Sequence, residues 1–364
     1  MSLRDIRRQV GQLITVGFGG SVVPVELRAL AREFDVGGVI LFARNIEAPE
    51  QVAELAYDTH ALGREWPPWV GVDQEGGRVA RLRSPFTEWP PMTTLGRSGD
   101  EVLAERFATA LAAELTAVGI TLDFAPVLDV HTNRRNPVIG DRALSERADQ
   151  VARLGAVIIR TLQAHGVAAC GKHFPGHGDT SADSHVELPV IDHAPDRLHA
   201  VELVPFRAAI ASGVAALMTA HLLIPALDAQ HPATLARAVV HDLLRTELGY
   251  DGIVVTDDLE MGAITHQQSI ETAAVGAVRA GCDVLLLGGE DHDRQAAVLE
   301  TLIHGVEADP LLALRVEDAI ARQHRVKGRF LMRRKAPPPK PKVLRALIGR
   351  QEHQAVADEM ARYL

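Results

Sequence analysis

The chain has 364 residues, 47% of them hydrophobic and 23% charged, with a net charge of −9 at pH 7. That length holds one large domain or two medium ones, and an acidic balance with no dominant basic patch argues against nucleic acid as the main partner. Two cysteines, Cys170 and Cys282, make no disulfide framework, and no apolar run approaches the roughly 18 residues of a membrane span.

The basic start, with Arg4, Arg7 and Arg8, runs into a short apolar segment broken by Gln12 and Thr15, which argues against a signal peptide. A cytoplasmic protein is expected, acting alone or as a homodimer. Short apolar runs then alternate with longer amphipathic ones. Strands are predicted at Leu13–Phe18, Gly38–Phe42, Trp69–Asp73, Thr121–Ala125, Val167–Cys170, Ala215–Thr219, Gly252–Thr256 and Asp283–Leu287. Between them fall helical patterns such as Val52–Leu62, Val102–Val118, Val151–His165, Pro205–Ala211, Val239–Leu248 and Ile270–Ala280. Unbroken apolar strands suit a parallel sheet buried on both faces. Eight β-then-α units point to a (β/α)8 barrel over residues 1–330, with an open doubly wound sheet as the alternative. A proline-rich linker is expected over 331–343, centred on Lys335-Ala336-Pro337-Pro338-Pro339-Lys340, and one amphipathic helix over 344–364, with Leu344, Ile348, Val356 and Met360 on one face.

The polar residues support the barrel. Asp73, the pair Lys172-His173, His221 and Asp257 each end a predicted strand, follow it directly or lie within two residues of it. A barrel enzyme builds its site at the carboxyl ends of its strands. The stretch from Lys172 to His185 is the densest in chemistry, with three histidines, one lysine and two aspartates in fourteen residues. Pro175, Gly176 and Gly178 break regular structure there, so a loop is predicted. Val254-Val255-Thr256-Asp257-Asp258 delivers two adjacent carboxylates at a strand end; one should face the barrel mouth, and Asp257 is the candidate. In Val72-Asp73-Gln74-Glu75-Gly76-Gly77-Arg78 the glycines match no phosphate-loop pattern, and the segment reads as a strand ending in a carboxylate, then a turn. Arg142, after Asp141, reads from its neighbours as a simple ion pair with that aspartate, or as a contact to a substrate oxygen.

Two mechanisms compete for these parts. His173, His177, Asp179, Asp183 and His185 are residue types that bind zinc or a similar ion, which would make the barrel a metal-dependent hydrolase. Their spacing matches no metal motif such as His-Glu-x-x-His. In the second mechanism Asp257 is a nucleophile and His185 a general acid/base oriented by Asp183, which suits a two-step displacement at a sugar carbon.

The segments 172–185, Val72–Arg78 and Thr256-Asp257-Asp258-Leu259-Glu260-Met261 together resemble family 3 glycoside hydrolases, most closely the bacterial single-domain β-N-acetylglucosaminidases of peptidoglycan recycling. Further matching pieces are Leu41-Phe42-Ala43-Arg44-Asn45, Ala125-Pro126-Val127-Leu128-Asp129-Val130 and Pro232-Ala233-Thr234-Leu235. The resemblance implies Asp257 as nucleophile, His185 as acid/base assisted by Asp183, and Asp73, Arg142, Lys172 and His173 as the groups that bind a non-reducing-end N-acetylglucosamine. It implies no metal and no cofactor, and muropeptides as substrate. A β-glucosidase or a phosphorylase on the same fold is the runner-up, and a sugar-binding module without catalysis comes last.

Overall fold

The computed structural model describes residues 3–332 and 337–364. Its centre is a closed barrel of parallel strands: β1 Ile14–Val16, β2 Gly38–Leu41, β3 Trp69–Val72, β4 Leu122–Asp123, β5 Ala168–Phe174, β6 Ala216–Thr219, β7 Ile253–Asp258 and β8 Val284–Leu287, with β8 pairing back onto β1. A helix follows each strand, from Val25–Phe34 after β1 to His292–Ala308 after β8. The expected (β/α)8 barrel is the fold observed.

Alternation along the strands explains the burial. Ile40, Trp69, Phe124, Met218, Val255 and Leu286 point into the barrel and pack on one another. Val39, Val70, Leu217, Val254 and Leu285, one residue away, point outward beneath the helices. Val326, Phe330 and Leu331 from the end of the helix Pro310–Phe330 plug the amino-terminal floor. Trp69 donates its indole N–H to Gln323 Oε1 of that helix at 3.0 Å. The barrel is therefore closed below and open only at the carboxyl ends of its strands. Some helix starts carry side-chain caps: Asp100 accepts from Val102 N–H and Leu103 N–H, and Ser269 accepts from Thr272 N–H.

Two expectations change. β5 does not stop at Cys170 but continues to Phe174, with Phe174 in register with Thr219 and Leu128 N–H donating to the Lys172 carbonyl at 2.6 Å. Lys172 and His173 are thus strand residues, and the irregular stretch begins at Pro175. The single helix expected over 344–364 is two, Pro341–Arg345 and Gln351–Ala361. Gly349 separates them with φ +58°, and a Cβ there would stand 2.2 Å from the Pro85 carbonyl oxygen. Leu344, Ile348, Val356 and Met360 are nonetheless buried together against the barrel's outer core. Of the linker expected over 331–343, residues 333–336 lie outside the described residues.

Candidate active site

The strand ends converge on a cavity of about 340 Å³. Asp73 enters from the end of β3, Lys172 and His173 from β5, Asp257 from β7, Arg142 from the loop after β4, and Asp183 and His185 from the loop after β5. Every side chain singled out from the sequence for sugar binding or catalysis lines this one space.

Its wall is an ion network. Lys172 Nζ lies 2.7 Å from both Asp73 Oδ1 and Glu75 Oε1. Arg142 meets Glu75 with two parallel N–H donors, Nε to Oε2 at 2.9 Å and Nη2 to Oε1 at 2.8 Å. The expected pairing of Arg142 with Asp141 does not form; Asp141 pairs with Arg78 at 2.9 Å. The reason is depth: Glu75 is carried inward by a short antiparallel hairpin, Gln74–Gly76 with Val79–Ala80, where its side chain is 1% exposed and two cations are at hand. Burial pushes the Glu75 carboxyl up, but Lys172 and Arg142 outweigh it and hold the pKa far below the usual range. Removing one partner would strand a buried charge, at about 3–5 kcal/mol.

His173 is fixed by a carboxylate. Its Nδ1–H donates to Asp129 Oδ2 at 2.7 Å, and Asp129 Oδ1 also accepts the backbone N–H groups of His173 and His177. That sets the tautomer and turns Nε2 toward Arg142 Nη2, 3.5 Å away.

On β7, Asp257 and Asp258 differ in kind. Burial raises the pKa of Asp257, but the neighbouring His173 and His221 more than compensate, and it lies below the ordinary aspartate value. Asp258 is pushed up to about 7 by burial, with Glu260 and Asp257 adding repulsion. Its Oδ1 accepts the Glu260 N–H at 3.0 Å, closing the turn after the strand. One carboxylate is therefore ionised at neutral pH, while the other is partly protonated; each accepts a backbone N–H, Asp257 that of Asp258 and Asp258 that of Glu260.

The loop after β5 is pinned at its base and open at its tip. Asn136 Nδ2 donates to the His177 carbonyl at 2.8 Å, the His177 ring lies 2.9 Å from Thr180 Oγ1 and 3.0 Å from Ser184 Oγ, and Asp179 takes Thr132 and His193 at 2.7 Å each. A Cβ on Gly178 would stand 1.8 Å from the Val130 carbonyl oxygen, so the loop seats only with glycine there. At the tip, Asp183 Oδ1 accepts both His185 N–H at 2.9 Å and Nδ1–H at 2.7 Å. Burial opposes ionisation of Asp183 and the hydrogen bonds from His185 favour it, leaving its pKa lowered. Nδ1 being committed, the other ring nitrogen, Nε2, is the one left to exchange a proton. Of the five residues of the metal reading, Asp183 and His185 bond each other, while His173, His177 and Asp179 bond other residues. Among the described residues no group of three or more His, Cys, Asp or Glu has metal-holding geometry.

Residues 5–326 match the sequence model described as the glycosyl hydrolase family 3 N-terminal domain. The chain belongs to glycosyl hydrolase family 3. The family 3 chain is 44% identical over 258 residues to a beta-hexosaminidase of Nitrosomonas eutropha, covering 69% of this chain and 73% of the relative. It is 39% identical over 309 residues to one from Alkalilimnicola ehrlichii, covering 83% and 87%. Among solved structures it matches a family 3 β-N-acetylglucosaminidase from Paenibacillus sp. str. FPU-7 with TM-score 0.93 and 41% identity, over 98% of this chain and 68% of that one. NagZ from Neisseria gonorrhoeae, solved with N-trifluoroacetyl-D-glucosamine, matches with TM-score 0.77 and 30% identity, over 96% and 97%. The protein is a glycoside hydrolase.

Three residues of this family 3 site were not picked out from the sequence. Glu75 holds two cations, and Asp129 orients His173. Arg81 reaches Asp73 Oδ2 at 3.2 Å and lies over the Phe42 ring, 5.6 Å from its centroid. Its Nε is buried with no protein partner among the described residues. The signal for Asp129 was its place in the segment after β4; nothing local marked Arg81.

Proposed function

We propose that this enzyme removes terminal β-linked N-acetylglucosamine with retention of configuration, through a covalent sugar ester on Asp257, and that muropeptide fragments are its substrates. The observation that carries the reading is that an ionised Asp257 and a carboxylate-anchored His185 border the same small cavity. In the first step Asp257 attacks the anomeric carbon while the bond to the leaving oxygen breaks. His185, carrying protons on both nitrogens, gives the one on Nε2 to that oxygen. Asp183, accepting the Nδ1–H, stabilises the cationic ring it orients. In the second step the now neutral Nε2 takes a proton from water, which attacks the same carbon and frees Asp257. Two inversions give net retention. Most glycosidases use a carboxylic acid as the donor; the exposed tip of the loop gives this histidine access first to the leaving group and then to water.

Asp73, Arg142, Lys172 and His173 are read as the groups that bind the sugar, with Arg81 added by its free Nε. The cavity's floor is Ile40, Met218 and Leu286 from the packed barrel interior, so a chain end enters and an internal unit does not. Support for the N-acetyl sugar comes from the solved relatives named above, two of which act on or hold such sugars by their descriptions.

Hydrolysis of an aryl β-N-acetylglucosaminide and the matching aryl β-glucoside, each with and without phosphate and a chelator, tests this. Preference for the N-acetyl substrate by about 100-fold or more is expected, the discrimination of a site that hydrogen-bonds a substrate group over an analogue lacking it. Neither additive should matter. Equal rates on both sugars, sugar phosphate as product, or loss of activity to the chelator would each overturn it.

A further inference from the structure

A buried carboxylate joins the C-terminal segment to the stretch that follows the hairpin at the cavity. Glu114, in the helix Glu101–Ala117, is 2% exposed. Its Oε2 accepts the Thr87 N–H at 3.0 Å, and its Oε1 accepts the Thr87 hydroxyl at 2.7 Å, the Gly349 N–H at 2.9 Å and the His353 Nδ1–H at 2.9 Å. Burial alone would favour the neutral acid, but the His353 and Thr87 donors bring the pKa below the ordinary glutamate value. Gly349 also lies directly on the Pro85 carbonyl, backbone against backbone. Residues 349–353 and 85–87 are thus two sides of one clasp.

Thr87 belongs to the stretch that returns from the substrate-side hairpin, and Arg81 stands near its start. Gln74 holds that start: its Oε1 accepts the N–H groups of Arg81 and Leu82, and its Nε2 donates to the Leu82 carbonyl. Gly77 N–H donates to the Trp89 carbonyl at 2.8 Å, folding the stretch back on the hairpin. The clasp fixes its middle. The C-terminal helix is seated independently by Arg106 with Glu359 at 2.7 Å and by buried Val356 and Met360.

We propose that the segment Pro341–Ala361 braces the sugar pocket, with His353 and Gly349 acting through Glu114 and Thr87 as positioning residues for Arg81. The inference rests on the reading that Arg81 and Asp73 face the terminal sugar. A contact made equally in the bound substrate and the transition state changes KM and leaves kcat alone. Loosening the brace therefore weakens sugar binding without slowing the chemistry.

The test is steady-state kinetics of the full chain on an aryl β-N-acetylglucosaminide, with His353→Ala, His353→Asn, Thr87→Val, Arg81→Ala and the double variant His353→Ala/Arg81→Ala. His353→Ala and Thr87→Val are expected to raise KM by roughly three- to tenfold, the worth of one ordinary hydrogen bond, with kcat unchanged. His353→Asn, which places an amide N–H near the Nδ1 position, should restore KM. In the Arg81→Ala background His353→Ala should add nothing, since coupled residues are not additive. An unchanged KM in folded His353→Ala, or the same loss with and without Arg81, overturns the brace. If His353→Ala does not fold, a wild-type KM in Thr87→Val overturns it equally. An unchanged KM in Arg81→Ala removes instead the pocket assignment beneath the inference.

Discussion

Asp257→Ala is expected to lower kcat for an aryl β-N-acetylglucosaminide by roughly four orders of magnitude or more, the scale seen when a covalent nucleophile is deleted, with the thermal midpoint little changed. The reason lies in the two adjacent carboxylates. A nucleophile must be ionised before it attacks, and the Asp257 pKa lies below the ordinary aspartate value. Asp258, raised to about 7 by burial and engaged with the turn that follows, is a poorer attacking group at neutral pH. The same contrast fixes the companion experiment. Asp258→Asn removes a carboxyl that is already partly neutral and should leave far more activity than Asp257→Ala. Substantial turnover in Asp257→Ala together with its loss in Asp258→Asn would transfer the nucleophile to Asp258.

The second large effect is selective by substrate. His185→Ala should reduce kcat/KM on a disaccharide with a poor leaving group by roughly 10²–10⁴-fold, the usual worth of a general acid. A dinitrophenyl glycoside, whose phenolate departs without a proton, should lose much less in the first step. Assays on the two substrates side by side separate the acid role from simple damage to the loop. Equal losses on both would count against proton donation by His185. Asp183→Asn should follow the same pattern with smaller amplitude, because the imidazole remains but loses the charge that orients it.

The barrel was legible because it repeats. Each strand lies in or begins on a short, mainly apolar run, and all eight predicted positions coincide with observed strands even where the ends differ by a residue or more. The placing of Asp73, Lys172, His173 and Asp257 was legible for the same reason, since a strand's carboxyl end is a fixed address in this fold. What failed to show was pairing between segments far apart in sequence. Arg142 follows Asp141 and invited the local ion pair, but its partner Glu75 is 67 residues away and deeper. Arg81 depends on a hairpin folding back toward Asp73, a return that no periodicity encodes. β5 ran past Cys170 because polar Lys172 and His173 ended the apolar run in sequence while ladder hydrogen bonds continued. The break in the final helix had a marker, Gly349, whose position beside Pro85 demands a residue without a side chain. His177 looked like a ligand, yet its ring serves to pin the loop through Thr180 and Ser184.

The measurement that bears most directly on this account is the stereochemistry of the first product. Proton NMR of the wild-type enzyme hydrolysing an aryl β-N-acetylglucosaminide would follow the anomeric signals before mutarotation blurs them. A covalent intermediate on Asp257 requires that β-N-acetylglucosamine appear first, with the α anomer growing in later. Initial release of the α anomer would mean a single displacement by water, and the roles given to Asp257 and His185 would be wrong.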